Sequence, residues 1–264
     1  MKLFYREYGK GEPVIIVHGL FGMSDNWIPI AKSLASDFKV YLPDMRNHGK
    51  SPHSSVHTYN VMSSDLYEFT EELKLKNAVF IGHSMGGKTV LQFAENHPEK
   101  LASMIIIDIS PQQYFPNTAF LKTALNHKVL LQSMQKINLK KAGNRKELTE
   151  LLQTRFKDPF LLQLAQKNIL KNKNNQFEWK INIKALDHNL FEIQREILLT
   201  DVVKSIKTLF IFGKDSPYFN TQNKILIQTR LPKAKINIIN GSGHLIHIEK
   251  ENDLIRTISN FIKL

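Results

Sequence analysis

Short runs of apolar residues alternate along this chain with longer stretches whose apolar positions recur every three or four residues. Pro13-Val14-Ile15-Ile16-Val17, Lys39-Val40-Tyr41-Leu42, Ala78-Val79-Phe80-Ile81 and Met104-Ile105-Ile106-Ile107 read as strands buried on both faces. Between them, helix is expected near residues 27–36, then where Met62, Leu66, Phe69 and Leu73 form a one-sided stripe, then where Val90, Leu91, Phe93 and Ala94 run on to a stop near Pro98. Residues 2–8 alternate like an edge strand. Thr208-Leu209-Phe210-Ile211-Phe212 and Lys235-Ile236-Asn237-Ile238-Ile239 resume the strand pattern, with helices near 221–230 and 252–263. Such alternation predicts an α/β fold: a mostly parallel, twisted sheet with helices on both faces.

The pattern breaks once. From about residue 113 to 203 the strand signal gives way to helical segments rich in Lys, Leu, Asn and Gln, interrupted by the polar Lys171-Asn172-Lys173-Asn174-Asn175. The expected organisation is a core of residues 1–112 and 204–264 with a small helical cap, 113–203, inserted before the penultimate strand.

At 264 residues the chain can bury a substantial core, and its 42% hydrophobic content is that of an ordinary globular protein. It contains no apolar run near the roughly 20 residues that span a bilayer, so no stable membrane insertion is expected. The first residues lack the apolar centre and cleavage site of a signal peptide, which points to the cytoplasm. The absence of cysteine excludes disulfides, a thiolate nucleophile and Cys-ligated metal. The +12 formal charge is spread along the chain rather than gathered in a patch, so nucleic acid is not an expected partner. One cluster in the middle region, Lys136, Lys140, Lys141, Arg145, Lys146, Lys171 and Lys173, could attract an anionic substrate such as an acyl-CoA.

The chemistry centres on Gly82-His83-Ser84-Met85-Gly86-Gly87, a serine between glycines where a buried strand turns into a helix. Such a turn strains the backbone and holds the hydroxyl out, marking Ser84 as a nucleophile. A serine hydroxyl needs a base and a group to orient that base. His244, after Gly241-Ser242-Gly243 and the last strand, is the candidate base, whereas His18, His83 and His247 are expected to brace turns or pack. Two aspartates compete for the third role: Asp108, on the strand beside the one that bears Ser84, and Asp215, which follows the next strand one residue short of the usual offset, where Ser216 stands. Oxyanion donors are expected from the backbone amides of Met85 and Leu20, with Phe21 as an alternative. Leu20, Phe21 and Met85 would also line an apolar acyl pocket. The polar segment Asp44 to Pro52 reads as a structural loop, and neither metal-ligand spacing nor a phosphate-binding glycine loop is present.

These segments resemble the α/β-hydrolase superfamily over nearly the full length, and within it the YbfF-like esterases. The matching residues are His18-Gly19-Leu20-Phe21-Gly22 with Asp25-Asn26-Trp27, Asp44 to Pro52, Gly82 to Lys88, Asp108-Ile109-Ser110-Pro111, and Gly243-His244. The resemblance implies an eight-stranded type of sheet, expected here without its first strand, and favours Asp108 as the acid. It implies serine-dependent hydrolysis of carboxyl esters, with acyl-CoA thioesters as a second class; no cofactor is expected, and the chain is expected to act as a monomer or homodimer. The alternatives are a carbon–carbon hydrolase or lyase of the same fold, or a non-catalytic homologue. Haloalkane and epoxide chemistry would need an aspartate at position 84.

Overall fold

A computed structural model describes residues 1–114 and 127–263. The chain begins with β1 (Tyr5–Tyr8) and β2 (Glu12–Val17), then a 3-10 turn at Ser24–Trp27 that leads into α1 (Ile28–Leu34). β3 (Phe38–Pro43), α2 (Tyr59–Glu72), β4 (Ala78–His83), α3 (Met85–Asn96) and β5 (Leu101–Ile107) follow. After the insertion come β8 (Lys207–Gly213), α9 (Thr221–Arg230), β9 (Lys235–Ile239), α10 (Ile246–Glu249) and α11 (Glu251–Lys263). Seven strands form one sheet in the order β1-β3-β2-β4-β5-β8-β9, parallel except for the antiparallel edge strand β1. The expected strands are therefore present, with the first shortened to Tyr5–Tyr8.

Each face of the sheet buries its own set of side chains. Val14, Ile16, Ile105, Ile107 and Ile211 pack with Trp27, Ile30 and Leu34 before and within α1, and with Leu254, Ile258 and Phe261 of α11. The last three fall at i, i+4 and i+7, one stripe of that helix. On the opposite face Ile15, Val17, Phe80, Met104 and Ile106 pack with Met62, Leu66 and Phe69 of α2 and Val90, Leu91 and Phe93 of α3. Strands covered on both faces need no polar positions, which is why they read as continuous apolar runs.

The insertion contains α4 (His127–Gln135), α5 (Arg145–Gln153), α6 (Pro159–Lys167), α7 (Ile183–His188) and α8 (Leu190–Gln194). Residues 115–126, within the expected cap, lie outside the described residues. The expectation of helix alone is corrected by an antiparallel hairpin of β6 (Ile169–Lys171) and β7 (Phe177–Trp179). The polar interruption is its turn. Asn172 Oδ1 accepts from the amides of Asn174 (2.9 Å) and Gln176 (3.0 Å), and Asn175 takes φ 60°. Asparagine tolerates that left-handed conformation, and three-residue strands are too short to show an alternating pattern.

Buried side chains of the insertion, among them Leu130, Leu131, Met134, Leu152 and Leu186, join the core on the α2 and α3 face. Its two stalks meet: Tyr114 N–H donates to Gln194 O (2.9 Å) and Ile197 N–H to Pro111 O (2.8 Å). Beneath them lies Lys88 of α3, 1% exposed, whose Nζ donates to Gln112 O (2.7 Å), Gln194 O (3.3 Å) and Arg195 O (2.5 Å). Burial holds its pKa down to about 7, and the three carbonyls meet all three donors of its ammonium form. Among the described residues, no helix is long and apolar enough to cross a membrane.

Candidate active site

The central strand β4 delivers Ser84 to the carboxyl end of the sheet, the edge where open α/β sheets place their ligands. Ser84 sits at φ 53°, ψ −120°, a conformation rarely taken by a residue with a side chain, and immediately caps α3. Its own N–H is held by Ile107 O at 2.9 Å, anchoring the strained turn to the neighbouring strand. Close approach by Gly86 makes the turn possible: a Cβ there would lie 2.2 Å from Val17 O.

Asp108 caps the adjacent strand β5, also with positive φ (52°), and is fully buried. Its Oδ1 accepts from Gly213 N–H at 3.0 Å, and its Oδ2 accepts both from the Ser216 hydroxyl and from His244 Nδ1 at 2.7 Å. His244 reaches the carboxylate from the loop after β9. Its carbonyl accepts from His83 Nε2 (2.9 Å), and its ring lies 4.7 Å from the His83 ring and 4.6 Å from that of Tyr218. With Nδ1–H committed to Asp108, Nε2 is the nitrogen left to accept a proton.

Asp215 is placed differently. Its amide is bound by Ser242 O at 2.9 Å, but its side chain is exposed and makes no hydrogen bond among the described residues. The structure thus brings Asp108, not Asp215, to His244. Ser216 joins the carboxylate as a further donor, and the signal for it was its position three residues after Gly213, one beyond Asp215.

The loop after β2 packs against Ser84. Gly19 backs onto it: a Cβ there would lie 3.2 Å from Ser84 Cβ. Gly22 N–H donates to Gly19 O (3.0 Å), making Gly19–Gly22 a tight turn in which Phe21 takes φ 63°. Among the described residues the N–H groups of Leu20, Phe21 and Met85 have no acceptor. Met85 begins α3, so its free amide also carries the positive end of the helix dipole.

The bracing histidines are neutral. His18 Nδ1–H donates to Gly19 O (2.8 Å) while Nε2 accepts from Met45 N–H (3.0 Å), and burial lowers its pKa despite nearby Asp44. His83 is likewise held well below the usual range by burial and the neighbouring His244 and His247. His247 stacks on Trp27 at 4.6 Å. The polar loop is structural: Asp44 accepts from the amides of Ser24 (2.6 Å) and Lys50 (2.8 Å). Among the described residues, no cluster of His, Asp and Glu could hold a metal.

Two insertion residues that the sequence did not mark reach the Gly19–Gly22 turn. The ring of His127 lies edge-on to Phe21 at 5.7 Å, its pKa held down to about 4 by burial and by His244. Asn168 Nδ2 donates to Phe21 O at 3.0 Å.

Comparison with known proteins places this geometry in a family. Residues 12–251 match the family described as alpha/beta hydrolase fold. A zebrafish (Danio rerio) protein named sn-1-specific diacylglycerol lipase ABHD11 is 34% identical over 97% of this chain and 80% of its own length. Esterase YbfF of Escherichia coli is 28% identical over 96% and 94% respectively. A solved structure titled marine microorganism esterase superimposes with a TM-score of 0.93 at 37% identity, covering 98% of this chain and 99% of its own. By fold and by sequence, the chain belongs to the α/β-hydrolase family.

Proposed function

We propose that this protein is a serine hydrolase of carboxyl esters, acting through Ser84, His244 and Asp108. The observation that carries the reading is the 2.7 Å contact between His244 Nδ1 and the buried Asp108 carboxylate, at the end of the strand paired with the one whose end, Ser84, takes the strained turn of a nucleophile. Relatives named esterase and lipase support ester chemistry.

In the proposed reaction Ser84 Oγ attacks the acyl carbonyl as His244 Nε2 takes its proton. Asp108 fixes the tautomer and stabilises the imidazolium, while the amides of Met85 and of Leu20 or Phe21 donate to the oxyanion. Collapse breaks the bond to the leaving group, which receives the proton from His244. Water then attacks the acyl-enzyme by the same route, releasing the acid and restoring Ser84. The residues themselves supply nucleophile, base and oxyanion donors, so the scheme requires no cofactor. The insertion serves as a cap over a small-molecule acyl substrate, with Leu20, Phe21 and Met85 lining the acyl side. Acyl-CoA thioesters are the second substrate class.

The test is a fluorophosphonate probe with intact-mass and peptide analysis, followed by stopped-flow hydrolysis of p-nitrophenyl esters and of acyl-CoAs. Labelling at Ser84, a burst of p-nitrophenol and loss of both in Ser84→Ala are expected. Labelling without a burst on any ester would favour carbon–carbon bond chemistry on this fold, and no labelling would refute a reactive serine.

A further inference from the structure

Phe21 presents a problem that the turn alone does not solve. It is an aromatic residue at φ 63°, a conformation usually left to glycine, in the segment proposed to aim an oxyanion amide. The peptide unit joining Phe21 to Gly22 is held at both ends. Its N–H donates to Gly19 O within the turn, and its C=O accepts from Asn168 Nδ2 at 3.0 Å, a residue of the insertion 147 positions later.

Asn168 is itself fixed. It is fully buried at the end of α6, where its N–H donates to Ala165 O (3.1 Å) and its C=O accepts from Lys180 N–H (2.7 Å) beside β7. Its side-chain nitrogen also donates to Leu164 O at 3.0 Å. Both partners are carbonyls, so the amide can face them only with its nitrogen. Oδ1, on the other side, is buried with no partner among the described residues. An apolar residue would pack there without an orphaned acceptor, so packing does not account for asparagine. What asparagine adds is a donor aimed at Phe21 O.

We infer that Asn168 is a positioning residue for the oxyanion turn: by fixing the Phe21–Gly22 peptide plane it keeps Phe21 in its left-handed conformation and the Leu20 and Phe21 amides free and aimed. The cap thus sets hydrolytic rate as well as substrate fit. This rests on the proposed esterase reading.

The test compares wild type with Asn168→Asp, which is isosteric but lacks the donor, and Asn168→Ala. Readouts are kcat and KM on a p-nitrophenyl ester, affinity for an alkyl trifluoromethyl ketone, which binds as a tetrahedral adduct, and affinity for the unreactive alkanol of the same length. Removing an oxyanion donor outright costs about 10²–10³ in kcat, so misaiming one should cost roughly 10–100-fold. Trifluoromethyl ketone affinity should fall in parallel, with KM and alkanol affinity within about threefold. Unchanged kcat, or weakened KM and alkanol binding with trifluoromethyl ketone affinity intact, would overturn the proposal. If neither variant folds, amide exchange in the wild type decides: slow exchange at Gly22 supports a pinned turn, and exchange at the rate of an open loop refutes it. A wild type that neither hydrolyses esters nor labels at Ser84 would instead refute the esterase reading.

Discussion

Replacing Asp108 by asparagine tests the proposed triad most sharply, because the structure leaves the new amide no good orientation. If its oxygen takes the place of Oδ2, it keeps His244 Nδ1–H and the Ser216 hydroxyl, but its NH2 then confronts Gly213 N–H across 3.0 Å, donor against donor. If it flips, the NH2 faces Nδ1 at 2.7 Å and drives the imidazole proton onto Nε2, the atom that must accept from Ser84. Either way the negative charge that steadies the imidazolium is lost. Two unit charges about 4 Å apart at an effective dielectric of about 20 attract by roughly 4 kcal/mol, or about three decades in rate. Adding the tautomer or clash penalty, kcat on a p-nitrophenyl ester should fall by about 10³–10⁴, with circular dichroism unchanged. Asp215→Asn, on an exposed carboxylate, should stay within about twofold of wild type. Retention of more than about a tenth of kcat by Asp108→Asn, or an equal fall in Asp215→Asn, would refute the assignment.

Two further outcomes concern the scaffold. Gly86→Ala puts a methyl group 2.2 Å from Val17 O and 2.6 Å from His18 O, two backbone atoms that cannot yield separately. The cost should be about 3 kcal/mol or more, seen as a melting point lower by roughly 6–12 °C or as insoluble protein, and a melting point within 2 °C of wild type would contradict the packing. Acidification should also destabilise the fold. His57 accepts from Asn47 Nδ2 (3.3 Å) and donates to Met85 Sδ (3.4 Å), and burial, with Arg46 nearby, holds its pKa down to about 3 against 6.5 when free. His247, also buried, is held down to about 3. Between pH 6.5 and 3 the unfolded chain therefore binds protons that the native state refuses, and stability falls as pH falls. Each such histidine costs about 2 kcal/mol at pH 5. Melting scans at pH 7.5 and 5.0 should show the drop, smaller in His57→Gln; a flat profile would sink the account.

The sheet was legible because parallel strands buried on both faces announce themselves as apolar runs. Ser84 and His244 were legible because turn chemistry ties them to strand ends. Which aspartate meets His244 was not resolved by the chain alone. An offset counted from Gly213 measures distance along one strand, whereas contact with His244 depends on β5 lying beside β8 and on the positive φ of Asp108. The β6–β7 hairpin was missed because three residues per strand give no period to read. Asn168 was beyond reach for a different reason: its partner is a backbone carbonyl 147 residues away, and a carbonyl has no letter in a sequence.

The buried Nζ of Lys88 bears on how this architecture diversifies. One atom reaches both stalks of the insertion, and it belongs to the residue whose own N–H closes the first helical turn on Ser84 O (3.2 Å). The ends of the insertion are thereby registered to the turn of Ser84, and Asn168 ties its middle to Phe21 O, so the segments between these two ties can change length while both anchors stay in place. A new pocket can then be grafted above without moving Ser84 only where both Lys88 and Asn168 are kept, so variation is confined to the lengths of chain between two side chains.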